Sequence, residues 1–268
     1  MLGERRPDPV RKHVLPDGAL YSGQVRRDTL SKTPDELIPD GKGKLKWPNG
    51  DKYGGRFVGG VPQGDGIKLL VADNTTIQGS FRNGMACGRG KMTRENAQGQ
   101  IEYCYEGEFL ADKPDGFGVE TQSNGNKYEG YFTKGKKGPN GTMWFTDGNV
   151  YVGEFKNDTL HGHGKLTNTS KQMSYEGDWQ ANKMHGMGLY LWDDGRRYQG
   201  QYVADKKTGF GVYMWIDGRV YYGMWKDGAQ HGEGTIVNPN MEMKKALYEK
   251  GRETVQLELG EAERTEIT

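Results

Sequence analysis

Three histidines are the first candidates for chemistry, because they occupy one position of a recurring pattern. His161, His185 and His231 each stand directly before a Gly-x-Gly pair. Imidazole binds zinc at about 2.1 Å, and one ion needs several such ligands around it. Adjacent histidines lie a whole repeat apart, so we expect a structural role and no metal site. The alternative is that His161 and His163 form half of an intermolecular metal site.

Residues 130–137 imitate a phosphate-binding loop. Gly130 and Gly135 precede Lys136 and Lys137, but no Ser or Thr follows the lysine, and the segment reads as a hairpin rather than as the start of a helix. The sequence also lacks a Gly-x-Ser-x-Gly elbow, a His-Glu-x-x-His motif and a matched Cys and His pair. We therefore predict a non-enzymatic protein with no catalytic residue and no cofactor.

Composition limits the partners and the compartment. The 268 residues carry 37 Lys and Arg against 36 Asp and Glu, so no global field attracts nucleic acid or an anionic membrane. Cys87 and Cys104 are too few for a disulfide framework, which predicts free thiols in a reducing compartment. With no long apolar run and no signal peptide, we expect a soluble, cytoplasmic protein that binds no nucleic acid and binds lipid weakly or not at all.

The elements that carry these residues repeat along the chain. Tyr175-Glu-Gly-Asp-Trp179 is followed by copies that begin at Tyr198 and Tyr221, a period of 23 residues. The first residue and the fifth residue of each copy are apolar, which predicts a structural ladder of side chains. Besides Tyr21, Val25 and Ile77, the ladder consists of Tyr53, Phe57, Phe81, Tyr105, Phe109, Tyr128, Phe132, Tyr151, Phe155, Tyr175, Trp179, Tyr198, Tyr202, Tyr221 and Trp225.

Each copy reads as a β-hairpin. Large residues and glycine alternate with charged residues, which is typical of a strand with one buried face. Asn-Gly and Asp-Gly pairs such as Asp194-Gly195 then supply tight turns. The Gly-x-Gly pairs predict that a ring of a neighbouring copy lies flat where no Cβ stands. The copy that begins at Tyr128 has Gly138-Pro-Asn-Gly141 instead, so we expect a distortion there.

The pattern Tyr-x-Gly-x-aromatic, Gly-x-Gly and Asp/Asn-Gly resembles the MORN (membrane occupation and recognition nexus) repeat. The resemblance implies an all-β fold, an elongated twisted solenoid of stacked antiparallel β-hairpins, over residues 14–252. A loop insertion is expected at 26–40, a disordered arm at 1–13 and an acidic tail at 253–268. Residues 245–252 resemble a truncated last repeat, although Ala246 stands where glycine is usual.

The resemblance also implies a function. Repeat-only members of such a family are usually protein-binding scaffolds in cytoskeletal assemblies, and we expect a component of a cilium or flagellum axoneme. The alternative is an adaptor for phosphoinositides or other anionic membrane lipids, supported by three basic doublets at 136–137, 196–197 and 206–207. Open solenoid ends would expose strand edges, which favours a homodimer.

The second strands of the hairpins predict where a partner binds. The last residues of these strands are large and apolar in some repeats and polar in others. The polar residues are Lys68, Arg94, Glu120, Gln122 and Asn168. Positions that tolerate charge should not be obligatory core, so rings there should line an exposed groove for a helical or extended segment. The alternative is that the rings only thicken the core. The expected groove residues are Tyr190, Trp192, Tyr213, Trp215, Phe145 and Trp47, flanked by Arg196, Arg197 and Lys206.

Overall fold

A computed structural model describes residues 8–27 and 37–258, and the chain divides into two compact units, Met1–Lys136 and Lys137–Thr268. Unit 1 contains β1 (Asp8–Val14), β2 (Leu20–Arg27), β3 (Leu37–Lys46), β4 (Lys52–Val58), β5 (Val61–Leu70), β6 (Thr75–Arg82), β7 (Met85–Glu95), β8 (Ile101–Leu110), β9 (Lys113–Gln122) and β10 (Lys127–Thr133). The next strand, β11 (Lys136–Trp144), begins at the last residue of unit 1 and otherwise belongs to unit 2. Unit 2 also contains β12 (Asn149–Lys156), β13 (Thr159–Asn168), β14 (Met173–Gln180), β15 (Lys183–Leu191), β16 (Arg197–Val203), β17 (Lys206–Met214), β18 (Val220–Lys226), β19 (Ala229–Val237), β20 (Met243–Glu249) and β21 (Arg252–Leu257).

Within each unit, every strand pairs antiparallel with the strands that precede and follow it in sequence. The glycines set the register, because Gly177 pairs with Gly188, which pairs in turn with Gly200. The described residues contain no helix, and so none that could cross a membrane. The predicted all-β fold of stacked antiparallel hairpins is confirmed.

In each unit the ladder forms the buried core on one face of the strands, which we call the ladder face. Six of the tyrosines that begin a repeat meet two aromatic rings edge-on, one from their own repeat and one from the next: Tyr53, Tyr105, Tyr151, Tyr175, Tyr198 and Tyr221. Tyr175, for example, lies 5.1 Å from Trp179 and 5.3 Å from Tyr202 between ring centroids, with interplanar angles near 90°. Its hydroxyl donates a hydrogen bond to the carbonyl of Asp178 at 3.0 Å.

The glycine pairs receive the tyrosine of their own repeat, and the prediction of a neighbour's ring is wrong. A Cβ on Gly164 would overlap the hydroxyl and ring of Tyr151, which begins the same repeat. The hydroxyl must reach a carbonyl only three residues away, so the ring folds back over its own hairpin. Where the tyrosine is replaced by Ile77, the ring of Phe109 in the next repeat approaches Gly90 instead.

Two kinds of tight turn join the strands. The Asn-Gly and Asp-Gly turns are confirmed, with φ of +91° at Gly195 and +85° at Gly218. The turns that join the two strands within a hairpin include non-glycine residues at positive φ, which sequence reasoning missed. Asp205, at φ +70°, accepts a hydrogen bond from the Met184 amide at 2.8 Å and so joins one repeat to the one before it.

The ends of the repeat array differ from the sequence prediction. Residues 8–14 form β1 and pair with β2, although residues 1–13 were expected to be a disordered arm. Residues 253–257 belong to β21, although an acidic tail was expected there, because β20 offers an edge on which they can pair. Residues 26–27 and 37–40 of the expected loop insertion lie in β2 and β3. The rest of the arm, loop and tail lies outside the described residues.

The predicted distortion around Pro139 is present. Other repeats place a glycine with positive φ at the start of the Gly-x-Gly pair, such as Gly162 at +57°. Proline cannot adopt positive φ. At this place Gly138 takes the unusual φ, +139°, and the peptide bond between Gly138 and Pro139 is cis.

Candidate functional site

Four aromatic residues of unit 2 meet at one side of the ladder face, and we call them the ring cluster: Tyr190, Trp192, Tyr213 and Trp215. Tyr190 and Tyr213 are the second-to-last residues of β15 and β17, and a tryptophan follows each of them two residues later. Both tyrosines pair with Tyr198 on β16, Tyr190 from one side and Tyr213 from the other. Because successive repeats are in register, the two Tyr-x-Trp segments become neighbours.

The rings of the cluster form a continuous chain of contacts. Tyr190 and Trp192 are 4.4 Å apart between centroids, Trp192 and Tyr213 are 5.7 Å apart, and Tyr213 and Trp215 are 5.0 Å apart. Tyr213 is buried at 7% exposure and also lies 5.9 Å from Trp225 of the ladder. The other three rings are half-buried, so the cluster joins the core on one side and reaches the surface on the other.

A guanidinium covers each tryptophan of the cluster. Arg196 lies 5.5 Å from the centroid of Trp192, and Arg219 lies 5.2 Å from that of Trp215. Both arginines follow an Asp-Gly turn and form an ion pair with its aspartate, at 2.6 Å for Arg196 and 2.8 Å for Arg219. Sequence reasoning missed Arg219, although it stands four residues after its tryptophan just as Arg196 does.

The ammonium group of Lys207 lies among rings of the cluster and of the ladder. Its ammonium lies 4.8 Å from the ring centroid of Trp192, 5.0 Å from Tyr198 and 4.7 Å from both Tyr213 and Trp225. Burial, with the positive charge of Arg196 in second place, lowers the pKa of Lys207 to about 8. The faces of the four rings attract the ammonium and so act in the opposite direction.

Sequence reasoning used Lys207 only as half of a basic doublet. It lies opposite Tyr202, and the residues opposite the corresponding ladder ring in the two preceding repeats are Leu160 and Met184. A charged residue at a position that is apolar in the two preceding repeats was the available signal.

A cavity of about 220 Å³ lies next to the cluster in unit 2. Tyr190 forms part of its wall, with the apolar side chains of Leu166, Met173 and Met184 and the carboxylate of Asp205. Asn149, Asn168 and Ser174 also line the cavity, but most of its accessible wall is apolar. Such surfaces bind protein side chains or small apolar ligands.

Two predicted groove residues point elsewhere. Successive side chains of a strand project to opposite faces. Tyr198 and Lys207 project to the ladder face, so Arg197 and Lys206 project away from the rings. Lys206 instead forms an ion pair with Asp227 at 3.4 Å. The doublets at 196–197 and 206–207 are thus divided between two environments.

Trp47 and Phe145 stand at the equivalent place in other hairpins and are half-buried. The Trp47 segment continues Pro-Asn-Gly-Asp51, with an aspartate where the ring cluster has an arginine. Phe145 donates its amide hydrogen bond to the Asn149 carbonyl at 2.8 Å and so closes the turn after β11.

Polar residues at the ends of the second strands were expected to mark positions outside the core. This expectation is wrong, because two of these residues are buried. Glu120 is 5% exposed and accepts a hydrogen bond from Gln122 at 2.8 Å. Asn168 is 2% exposed and donates to the Asn149 side chain at 2.9 Å. Lys68, at a similar place, forms an ion pair with Asp112 at 2.6 Å. These positions lie within the core margin, where polar partners satisfy the buried groups.

The histidines and cysteines do not converge on a site. In the part of the chain that the structure describes, no group of three or more His, Cys, Asp or Glu could hold a metal ion. His163 instead lies 3.4 Å from a carboxylate oxygen of Asp178 on the neighbouring strand. Cys87 and Cys104 are both free thiols.

Comparison with protein families gives a match to the MORN repeat along most of the chain. The matched segments are residues 38–52, 78–96, 105–127, 128–150, 151–172, 175–196, 198–218 and 221–240. The segment 175–196 contains Tyr190, Trp192 and Arg196, and the segment 198–218 contains Tyr213 and Trp215.

The curated relatives are much longer proteins. Alsin of Homo sapiens is 29% identical over 188 residues, which cover 66% of this chain and 10% of Alsin. Alsin of Mus musculus is 31% identical over 157 residues, which cover 54% of this chain and 9% of that protein. The chain thus spans about a tenth of the length of these relatives.

Solved structures with similarity to this chain include two domains in complex with peptides of other proteins. The TCP10 domain of Danio rerio CPAP, in complex with a STIL peptide, aligns with a TM-score of 0.47 and 12% identity, over 94% of this chain and 100% of that chain. The TCP domain of Drosophila melanogaster SAS-4, in complex with a proline-rich motif of Ana2, aligns with a TM-score of 0.27 and 11% identity, over 84% of this chain and 90% of that chain.

Proposed function

Because the chain belongs to the MORN-repeat family, we propose that it is a non-enzymatic protein-binding scaffold whose ring cluster anchors one segment of a partner. The observation that supports this most directly is the ring cluster itself. Neighbouring repeats contribute four rings that touch one another, remain half-exposed at three positions and border an apolar cavity. Aromatic and arginine side chains in such surroundings supply most of the binding energy at protein interfaces.

The geometry also describes the partner segment. The two tryptophans lie in neighbouring repeats on the same side of the sheet, so a helix or an extended chain can contact both. Its apolar side chains would cover Trp192 and Trp215 and enter the cavity beside Tyr190. The guanidinium groups of Arg196 and Arg219 would lie at its margin, where they favour an acidic group on the partner.

Anionic lipid is a weaker candidate for this face. The lipid alternative depended on adjacent pairs of basic residues acting together on one surface. Lys207 is surrounded by rings, and Arg196 is held by Asp194 and Trp192. Their sequence neighbours Lys206 and Arg197 project to the other face, so neither pair concentrates its charge.

We test the proposal with a double substitution, Trp192→Ala with Trp215→Ala, in an affinity-tagged chain expressed in cells. A matched control, Phe210→Ala with Tyr222→Ala, removes two exposed rings of unit 2 from the opposite face. Copurifying proteins are quantified by mass spectrometry, and folding of each variant is checked by thermal melting.

The cluster variant should lose the proteins that copurify with the wild type, and the control should retain them. A cluster variant that remains folded and copurifies the same proteins in the same amounts would leave the rings with a packing role only.

We further propose that the chain acts in the cytoplasm as a component of a cytoskeletal assembly, in a cilium or flagellum axoneme. The family resemblance supports this placement. The measurement is fractionation of ciliated cells, in which detergent leaves the axoneme insoluble. The chain should remain with the insoluble axoneme, and its complete release with the membrane fraction would contradict the proposal. The homodimer through strand edges stays a prediction, which analytical ultracentrifugation checks.

A further inference from the structure

A second surface, in unit 1, lies on the face of the sheet opposite the ladder. Tyr53 of β4 belongs to the ladder face, so its neighbours Lys52 and Gly54 belong to the opposite face, and Arg56 follows on that face two residues later. The paired strand β3 contributes Lys42, Lys44 and Lys46. We call these five basic residues, with the bare backbone at Gly54 between them, the basic groove.

Cross-strand pairing in the basic groove places like charges opposite one another. Lys42 pairs with Arg56, Lys44 with Gly54, and Lys46 with Lys52. Like charges in directly opposite positions destabilise a sheet. All five side chains are exposed. Within residues 8–27 and 37–258, no carboxylate oxygen lies within 4.0 Å of their charged nitrogens.

In two other repeats, the lysine equivalent to Lys44 is paired with a glutamate. Lys91 forms an ion pair with Glu106 at 2.7 Å, and Lys165 forms one with Glu176 at 2.9 Å. In both cases the glutamate stands opposite the lysine on the following strand. For Lys44 that position is Gly54, which supplies neither a charge nor a side chain.

The missing side chain leaves a depression of about 440 Å³. Its lining includes Lys44, Lys46 and Lys52 together with the partly exposed apolar side chains of Leu20 and Ile67. A second depression continues from it towards Lys42 and Arg56 and ends at Asp65, whose carboxylate accepts a hydrogen bond from Ser80 at 2.9 Å. Basic groups therefore line a continuous hollow that has an apolar patch.

From this geometry we propose that the basic groove binds an extended acidic segment of a partner protein, with glutamates at alternate positions. Lys42, Lys44 and Lys46 are spaced by two residues along β3, which corresponds to about 7 Å between successive side chains. An extended segment repeats its own side chains at the same interval. Its carboxylates would replace the glutamates that Lys44 and its neighbours lack, and its methylene groups would cover Leu20 and Ile67.

The observations favour a protein segment over a membrane surface. The charges follow the register of one strand pair, and they line a hollow rather than a raised patch. A lipid surface responds to the total charge that approaches it and has no register to match. The groove uses residues and a face that the ring cluster does not use, so each proposal can fail without the other.

The test measures fluorescence anisotropy of a labelled peptide of alternating glutamate and threonine with the full chain. A second peptide of the same composition has its glutamates consecutive. The decisive variant is Gly54→Glu, which places a carboxylate opposite Lys44 as in the other repeats. A Cβ at this position meets only the Lys44 Cγ at 3.9 Å, and φ is not positive, so the backbone accepts the change.

Gly54→Gln fills the same space without charge and is the matched control. A triple reversal of Lys42, Lys44 and Lys46 to Glu is compared with a reversal of Arg82, Lys113 and Lys136, which are exposed residues of the same unit outside the groove. Far-ultraviolet circular dichroism verifies that every variant is folded.

We expect the alternating peptide to bind more tightly than the block peptide, with an affinity that falls as salt rises. Gly54→Glu and the triple reversal in the groove should each weaken binding by about tenfold or more, since three exposed ion pairs together correspond to roughly that factor. Gly54→Gln and the reversal outside the groove should retain most of it.

Equal loss with both triple reversals would show attraction by net charge alone and overturn the proposal. It would also be overturned if the chain bound neither peptide but sedimented with phosphatidylserine vesicles in a way that the groove reversal abolished. The last outcome would assign the groove to membrane lipid.

Discussion

The ladder and the second-strand positions lie side by side on one face of the sheet but differ in what they contact. The tyrosine that begins a repeat donates to a carbonyl three residues away and lies over the glycine pair of its own hairpin, as Tyr151 does with Glu154 at 3.0 Å and with Gly164. The second strands hold buried polar networks around Glu120 and Asn168, but a half-exposed chain of rings from Tyr190 to Trp215.

The difference separates what a repeat needs to fold from what it can offer to a partner. A ladder residue satisfies the geometry of its own hairpin, so every repeat must carry it or an apolar substitute such as Ile77. A second-strand residue contacts only the edge of the core, where rings and hydrogen-bonded polar groups both fit. Variation there changes the surface without changing the fold.

The largest expected effect is the loss of one ring from the ladder. Phe155 is 6% exposed and lies 5.2 Å from Tyr151 between ring centroids. Phe155→Ala should lower the free energy of unfolding by about 3–5 kcal/mol, the usual cost of deleting a buried phenylalanine. Urea denaturation measures it. Phe210→Ala, on the opposite face with 54% exposure, is the control and should change stability by about 0.5 kcal/mol or less.

The glycine pairs give the next largest effect. In Gly164→Ala the new methyl group would displace the ring of Tyr151, which should cost about 1–3 kcal/mol or more, as overpacking does. Gly54→Ala, where only the Lys44 side chain is near, should be neutral or stabilising by up to about 1 kcal/mol. Equal melting temperatures for the two variants would mean that the tyrosine ring does not require the glycine.

The ladder hydroxyl should contribute less than the ladder ring. Tyr175→Phe keeps the ring and removes the donor to the Asp178 carbonyl, with an expected loss of about 1 kcal/mol in unfolding free energy. Tyr222→Phe, on the opposite face, tests whether any tyrosine hydroxyl has this effect. Equal losses in the two variants would contradict a special role for the ladder hydrogen bond.

Lys207 gives a smaller effect that depends on pH. Its folded pKa of about 8 is below the unfolded value of 10.5, so the unfolded chain binds more protons between these values. Stability due to this group should therefore rise as pH increases from about 8 towards 10.5, and below pH 8 the charged form makes its full unfavourable contribution.

Lys207→Met places the side chain of the preceding repeat, Met184, among the same rings. The variant should melt at a higher temperature than the wild type at pH 7, and the difference should shrink between pH 8 and 9.5. Burial raises the pKa of ladder tyrosines, to about 12 for Tyr105, so their stabilisation is lost above pH 10 and the comparison stops below that value. A difference that is independent of pH would show that Lys207 does not titrate in this range.

Sequence reasoning recovered the features that depend on local period and turn chemistry. The ladder, the hairpins and the Asp-Gly turns followed from residue type and spacing, because each repeat folds mainly on itself. Sequence reasoning failed where the outcome depends on which groups a side chain can reach in the folded hairpin. The ring over Gly164 comes from the same repeat because the hydroxyl of Tyr151 must reach the Glu154 carbonyl, a constraint that spacing alone does not contain.

Sequence reasoning predicted the part of the candidate site that depends on the repeat period and missed the part that depends on strand register. The contact between the two Tyr-x-Trp segments followed from the repeat period. The division of Arg196 and Arg197, and of Lys206 and Lys207, between two environments followed only once the register was known. The burial of Glu120 contradicted a rule that charge marks exposure, because Gln122 supplies a partner that the sequence does not identify as one.

The most direct measurement compares a tryptophan of the ladder with a tryptophan of the ring cluster. Trp179 belongs to the ladder, is 6% exposed and donates from its indole nitrogen to the Gly164 carbonyl at 3.1 Å, whereas Trp192 is half-buried in the ring cluster. Urea unfolding and copurification are measured for Trp179→Ala and for Trp192→Ala. The account predicts a loss of about 3–5 kcal/mol for Trp179→Ala and less than half of that for Trp192→Ala, which should nevertheless lose the copurifying partner. If Trp192→Ala lost as much stability as Trp179→Ala and still retained the partner when folded, the assignment of recognition to the ring cluster would be contradicted.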